Sequence, residues 1–400
     1  VREPHPHLLE VKKIYQNIKS TLVDKKNLTI RVKNWFDFSD LNEYLLHWSV
    51  TGDDGTIVAE GSKEVTCAPH AVVDITLGAV KLPKTLREAY LNLSWTRVKA
   101  TPLVTSDWEV AYDQFVLPVS KNSWSGKPAK AGNTTFVVDE ATGALKSLCL
   151  DGEELLASPI TLSLFRPATD NDNRDQNGAK LWRQAGLDHL TQKVVSLKEG
   201  KNKTTVKADI LNAEGKKIGN AEFIYALNRD GSMKVQTTFE PDTSLVKSMA
   251  RLGITFEMKD TYENVTYLGR GEHETYTDRN QSGKIGVYKT TPERMFHYYV
   301  VPQSTGNRTD VRWLQLTDEH GKGCWIEANS FFQFSTFPFS DVILEKARHI
   351  NELKRDGKIT IHLDAEQAGV GTATCGPGVL PSYLVPLTKQ TFDFTIYPVK

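Results

Sequence analysis

Glu222-Phe223-Ile224-Tyr225-Ala226-Leu227, then Asn228-Arg229-Asp230-Gly231, then Ser232-Met233-Lys234-Val235-Gln236-Thr237-Thr238-Phe239: this stretch decides the fold. Two runs rich in apolar, aromatic and β-branched residues flank a polar turn ending in glycine, which reads as a hairpin. With residues 205–211 before it, the hairpin extends into a meander. The same signals recur from Asn133 onward. Phe136-Val137-Val138 enters the turn Asp139-Glu140-Ala141-Thr142-Gly143 and leaves through Ala144-Leu145-Lys146-Ser147-Leu148. One interruption lies at residues 179–190, where Leu181-Trp182-Arg183-Gln184-Ala185-Gly186 predicts a short helix. A β-meander this long builds one large sandwich rather than a small module. No alternation of helices and strands is present, so the chain contains no (β/α)₈ barrel.

Toward the N-terminus, residues 120–132 are rich in Gly, Pro and Ser and read as a linker. Before them, residues 19–119 carry several short strands separated by turns such as Thr51-Gly52-Asp53-Asp54-Gly55, the pattern of an immunoglobulin-like sandwich. Trp48 and Trp95 lie in apolar-rich strands and are expected in its core. The first 18 residues differ. Leu8, Val11, Tyr15 and Ile18 recur at helical spacing, so a short amphipathic helix is expected. Either it is the tail of a larger upstream domain, or it docks on its own domain.

The chain carries 49 basic and 49 acidic residues. A balance of zero gives no general attraction to nucleic acid or to an anionic membrane surface. No apolar run is long enough to span a bilayer. Cys67, Cys149, Cys324 and Cys375 are widely spread, with neither a CxxC pair nor metal-ligand spacing. No HExxH motif and no Ser-His-Asp order is readable.

Four segments are unusually polar. Phe165-Arg166-Pro167-Ala168-Thr169-Asp170-Asn171-Asp172-Asn173 gathers carboxylates and amides on one loop, suited either to hydroxyl recognition or to turn formation. Gly269-Arg270-Gly271-Glu272-His273-Glu274 leads into Tyr276 and Asp278-Arg279. Its Glu, His and Arg side chains suit action on a sugar, or a structural salt-bridge network. Gly306-Asn307-Arg308-Thr309-Asp310-Val311-Arg312-Trp313 places Arg308, Asp310 and Arg312 at alternate positions, hence on one strand face. Gly369-Val370-Gly371-Thr372-Ala373-Thr374-Cys375-Gly376-Pro377-Gly378 is a glycine-rich turn without the lysine or following helix of a phosphate loop.

Taken together, in this order and spacing, these segments resemble the family 2 glycoside hydrolases of the β-galactosidase type, and the resemblance covers essentially the whole chain. Residues 1–18, with Pro4-His5-Pro6 and Glu10-Val11-Lys12-Lys13-Ile14-Tyr15-Gln16, resemble the last helix of that family's catalytic barrel. Residues 19–119, including Leu45-Leu46-His47-Trp48, resemble its second immunoglobulin-like domain. Residues 133–400 resemble its large C-terminal β-supersandwich, similar to galactose mutarotase. The resemblance therefore implies an all-β chain: an immunoglobulin-like β-sandwich followed by a galactose-mutarotase-like one.

It also implies a division of labour. The family's two catalytic glutamates and its magnesium and sodium sites lie on the barrel, so no catalytic residue and no cofactor is expected in this chain. The expected role is to wall the pocket of a retaining β-galactosidase, with a β-galactoside or galactose as ligand and a homo-oligomeric parent enzyme. Arg166, Asp170, Asn171, Asp172, Glu272, His273 and Cys375 are the expected wall residues. Some family members place a sugar-stacking aromatic on the glycine-rich loop; here Cys375-Gly376 stands there. Two other functions stay open. One is a carbohydrate-binding module holding galactose weakly through Arg166, Asp170 and Glu272. The other is an aldose epimerase using His273 with Glu274 or His297.

Overall fold

A computed structural model describes residues 4–128, 133–372 and 378–399. With 47% strand and 10% helix, the chain is all-β, as the alternation predicts. It divides into two compact units, residues 1–127 with 284–287, and residues 128–283 with 288–400. Among the described residues no helix is long and apolar enough to cross a membrane.

The first unit opens with α1 (Pro6–Ile14), which carries proline in its first turn and Lys12 and Lys13 in its last, both favoured at those ends. Seven strands follow: β1 (Ile18–Asp24), β2 (Thr29–Asn34), β3 (Tyr44–Gly52), β4 (Ile57–Glu64), β5 (Val72–Thr76), β6 (Glu88–Arg97) and β7 (Glu109–Pro118). They form two antiparallel sheets, ordered β1-β2-β5 and β4-β3-β6-β7. Alternate residues of β2, β3 and β6 enter the core between them: Ile30 and Val32, Leu46 and Val50, Leu91, Leu93 and Trp95. Full burial of each large apolar side chain contributes about 1.5–3 kcal/mol. Trp95 is wholly buried and Trp48 packs partly buried against the same cluster.

The helix is shorter than its spacing suggests. It ends at Ile14, and Ile18 belongs to β1, where it is buried. The helix docks through its polar side: Lys13 pairs with Asp113 of β7 at 2.7 Å, and Gln16 accepts from Tyr112 N at 3.1 Å. Its apolar stripe faces outward, with Leu8 50% and Tyr15 78% exposed and Val11 between them.

In the second unit a small sheet joins β8 (Thr134–Val138), β9 (Leu145–Leu150) and β10 (Glu153–Glu154). The large sheet uses β11 (Thr161–Ser163), β12 (Thr191–Gly200), β13 (Lys203–Leu211), β14 (Lys217–Leu227), β15 (Met233–Pro241) and β16 (Arg251–Lys259). After β17 (Asn264–Gly271) and β18 (Lys284–Thr290) come β19 (Arg308–Thr317), β20 (Gly323–Phe337), β21 (Lys358–Gln367) and β22 (Gln390–Val399). Nine strands run in the order β11-β16-β21-β20-β22-β15-β14-β13-β12, and β19, paired with β17, joins through β20. The hairpin turning at Asn228–Gly231 is β14–β15, with Tyr225 opposite Val235 and Leu227 opposite Met233.

One face of this sheet is the core, with Phe223, Val235, Ile254, Phe334, Ile361 and Leu363 among its buried residues. The residues between them on β16, β20 and β21 point the other way and are polar but also buried, including Ser335, His362 and Asp364. Gly253 is required there, because a Cβ would meet Leu363 O at 2.2 Å and the Asp364 carboxylate at 2.5 Å. The alternation expected for Arg308, Asp310 and Arg312 is broken. The β19 register shifts between Arg308 and Val311, and Asp310 adopts φ +52°, so the three do not share one face.

Candidate functional site

Loop chemistry around Arg166 builds the site. The chain leaves β11 through Leu164 and Phe165, then enters the short helix α2 (Asp170–Arg174), which a reciprocal cap starts. Asp172 N donates to Thr169 Oγ1 at 3.1 Å, and Thr169 N donates to Asp172 Oδ2 at 2.9 Å. This cap turns the Asp172 carboxylate toward Arg166. A guanidinium has five N–H donors, and Arg166 uses them all. Nε and Nη2 donate to the two Asp172 oxygens at 3.0 and 2.7 Å. Nη1 donates to Gln367 Oε1 at 3.2 Å and Ala368 O at 2.7 Å, and Nη2 also to Gly369 O at 2.9 Å. Arg166 is 0% exposed and Asp172 is buried with it. The pair therefore fastens the segment following β21 to the first loop.

The next residues of that segment are held from a second side. Half-buried Asp278 accepts from Val370 N (3.0 Å), Gly371 N (2.9 Å) and Thr372 Oγ1 (3.0 Å). Asn171 Nδ2 donates to Val370 O at 2.6 Å. Beyond residues 373–377, Asp175 Oδ2 accepts from Val379 N at 3.3 Å. Both described roots of the glycine-rich turn are thus fixed by carboxylates, Asp278 at one and Asp175 at the end of α2 at the other. Cys375 lies outside the described residues.

The remaining expected residues divide. Asp170 is exposed, with its N–H donating to Gln303 Oε1 at 3.2 Å, and borders a polar cleft of about 280 Å³ that also touches Asn173, Arg183 and Arg348. Glu272 is exposed, and its backbone carbonyl accepts from Arg308 Nη2 at 2.8 Å. His273 Nε2 lies 2.7 Å from Ser282 Oγ. Glu274 is buried and fully engaged: Arg279 pairs with it, Tyr299 Oη donates at 3.1 Å and Gly306 N at 2.7 Å. Burial followed by the Glu274 charge raises the pKa of the Tyr299 hydroxyl. His297 packs edge-on against Tyr299 with ring centroids 4.6 Å apart.

Sequence reading missed four members of this framework. Asp278 stood in a quoted motif without a role, and Asp175 lies in an unremarked polar turn. Asn307 and Gln367 cross-link the loops, with Asn307 Nδ2 donating to Thr275 O at 2.9 Å and Gln367 Nε2 donating to Asn307 Oδ1 at 3.3 Å. Nothing local marks Gln367, because its partners lie far away in sequence. Among the described residues no group of three or more His, Cys, Asp or Glu side chains is arranged to hold a metal ion.

The sequence model of the family described as "Beta galactosidase small chain" matches residues 130–397, and that described as "Beta-galactosidase, domain 4" matches residues 30–118. The chain belongs to the β-galactosidase family. A β-galactosidase of Priestia megaterium is 30% identical over 388 residues, covering 92% of this chain and 37% of the relative. A β-galactosidase of Actinobacillus pleuropneumoniae is 24% identical over 404 residues, covering 96% and 39%. The chain thus spans about two fifths of the length of the curated relatives it matches. An exo-chitosanase of Amycolatopsis orientalis overlaps 69% of this chain and 26% of its own, with 12% identity and a TM-score of 0.21, a likeness too weak to bear on the fold. Within the family framework, the three most polar loops of the second unit converge on one clasped segment.

Proposed function

We propose that this chain is the non-catalytic C-terminal part of a retaining β-galactosidase that hydrolyses terminal β-D-galactosides. In this reading the clasped residues 367–372 and 378–379 and the Asp170 loop wall the sugar pocket. The observation that carries it is the state of the carboxylates. Retaining hydrolysis needs two carboxyl groups about 5–5.5 Å apart across a glycosidic bond, one of them free to attack. Here Asp172, Glu274 and Asp278 are each tied down by two or more donors, which suits a framework rather than a nucleophile. The reacting glutamates, and the magnesium and sodium that accompany them, belong in this reading to the part of the enzyme outside this chain. The outward stripe Leu8 and Val11 on α1, with Tyr15 just beyond its end, supports an upstream portion that covers it.

A galactose site built on Arg166, Asp170 and Glu272 finds less support, because Arg166 has no N–H left to offer a hydroxyl. For an epimerase, Glu274 is occupied by three donors.

The test uses the parent-length enzyme carrying this chain. Asp278→Ala removes the acceptor for three donors and frees the wall segment. It should raise KM for an aryl β-galactoside about tenfold while changing kcat less, the signature of lost substrate positioning. Unchanged KM and kcat would count against the pocket-wall role.

A further inference from the structure

The large sheet of the second unit curls without closing, and its two terminal strands, β11 and β12, both border a cavity of about 480 Å³. That volume lies within the range of small-molecule sites. The seam is not an open edge for another strand. Gln192 on β12 accepts from Leu162 N of β11 at 3.4 Å and donates to Thr142 O at 3.0 Å, capping the short edge. What remains is a compact chamber.

Its lining is amphiphilic. Phe165, Leu190 and Pro159, none of them fully buried, supply apolar wall. At the polar end stand the hydroxyls of Thr161 and Ser163, which make no side-chain hydrogen bond among the described residues, and the carboxylate of Asp341. Asp341 opens the helix α5 (Asp341–Lys346), and its Oδ1 lies 3.1 Å from Nε2 of the wholly buried His362. Burial alone would raise the Asp341 pKa, but His362 and then Arg251 outweigh it and hold the carboxyl below its ordinary value. Asp341 is therefore an ionised acceptor whose second oxygen is left for a ligand.

Charge then selects the ligand class. An anion meets Asp341, Asp188 and Glu345 on the lining. A cation meets Lys346 on the same lining and the field of Arg251 behind Asp341. A neutral molecule with one apolar face and several hydroxyls satisfies both walls, since pyranose C–H faces pack on aromatic and aliphatic surface while hydroxyls donate to carboxylates. We propose that the seam chamber binds a neutral pyranoside, with its apolar face on Phe165 and Leu190 and its hydroxyls on Asp341 and Ser163. The site shares no hydrogen-bonding residue with the clasp around Arg166 and Asp278, so it stands independently of the pocket-wall reading.

The experiment uses the 400-residue chain alone. Saturation-transfer NMR and calorimetric titration with methyl β-galactoside and methyl β-glucoside should show saturable one-site binding, with octan-1-ol as the apolar control. Asp341→Asn should raise Kd about tenfold, the loss of a hydrogen bond to a charged acceptor. Val342→Trp fills the chamber from an exposed position on α5 and should raise Kd at least about tenfold, so it carries the test should Asp341→Asn not melt cooperatively. Three results would overturn the proposal: no transfer or heat with either pyranoside, binding that survives Val342→Trp unchanged, or binding of octan-1-ol alone.

Discussion

Replacing Arg166 with Met tests the clasp at its centre. The substitution keeps an apolar stem of similar length and removes the guanidinium alone. Asp172, 3% exposed, then keeps Thr169 N at 2.9 Å as the one hydrogen-bond donor to its carboxylate among the described residues. Stranding one partner of a buried ion pair costs about 3–5 kcal/mol. The carbonyls of Ala368 and Gly369 lose their donors as well, at about 1–3 kcal/mol each unless water reaches them. A loss of at least about 3 kcal/mol is therefore expected, a large share of a typical 5–15 kcal/mol total. Urea unfolding followed by tryptophan fluorescence reads it, helped by Trp182, whose ring lies 5.6 Å from the Arg166 guanidinium. The double variant Arg166→Met/Asp172→Leu removes the stranded charge but not the two orphaned carbonyls, and it also loses the Thr169 cap. Its destabilisation should thus fall short of the sum of the singles by about 2 kcal/mol or more. A shift below about 1 kcal/mol for Arg166→Met, or strict additivity in the double variant, would refute the clasp.

Further tests follow from single positions. Glu154 accepts from Leu148 N and Leu156 N, both at 2.9 Å, and from Ser147 and Cys149; burial opposes its ionisation, but these donors outweigh it and hold its carboxyl below the ordinary glutamate range. With the folded pKa depressed, its stabilisation is present above the unfolded value and lost as pH falls through the folded one. The melting-temperature gap between the natural chain and Glu154→Gln should be widest near neutral pH and shrink in acid; a gap independent of pH would contradict this. Gly186 ends α3 (Ala179–Ala185) at φ +72°, where a Cβ would meet Asn212 Cβ at 2.7 Å. Gly186→Ala should lower stability by at least about 1–2 kcal/mol in denaturant titration, and a neutral result would argue against this geometry. Thr169→Ala removes half of the α2 cap and should cost about 1 kcal/mol by the same measurement.

Local patterns carried the fold a long way. Alternation and turn composition announce the β14–β15 hairpin, the short helix near Trp182 and the buried Trp95, because each depends on residues close in sequence. Failures occur where distant partners decide. The α1 stripe extrapolates through Ile18, but β1 pairing takes that residue, with Ile18 opposite Asn34. A bulge that period-two reading has no means to register separates Arg308 from Arg312. The polar loops at Arg166 and Asp278 were legible as unusual, yet their roles were not. The same Asp-rich composition serves ligand contact and loop fastening alike, and only contacts spanning some 200 residues, such as Arg166 to Gly369 at 203, distinguish them.

On the function proposed above, this chain supplies structure to a β-galactosidase pocket while the reacting groups lie elsewhere. Hydrolysis of o-nitrophenyl β-galactoside by the purified 400-residue chain, measured beside the parent-length enzyme, tests it most directly. The expected result is release at the buffer rate for the chain and ready turnover for the parent. Turnover by the chain alone that rises in proportion to its concentration would contradict the account.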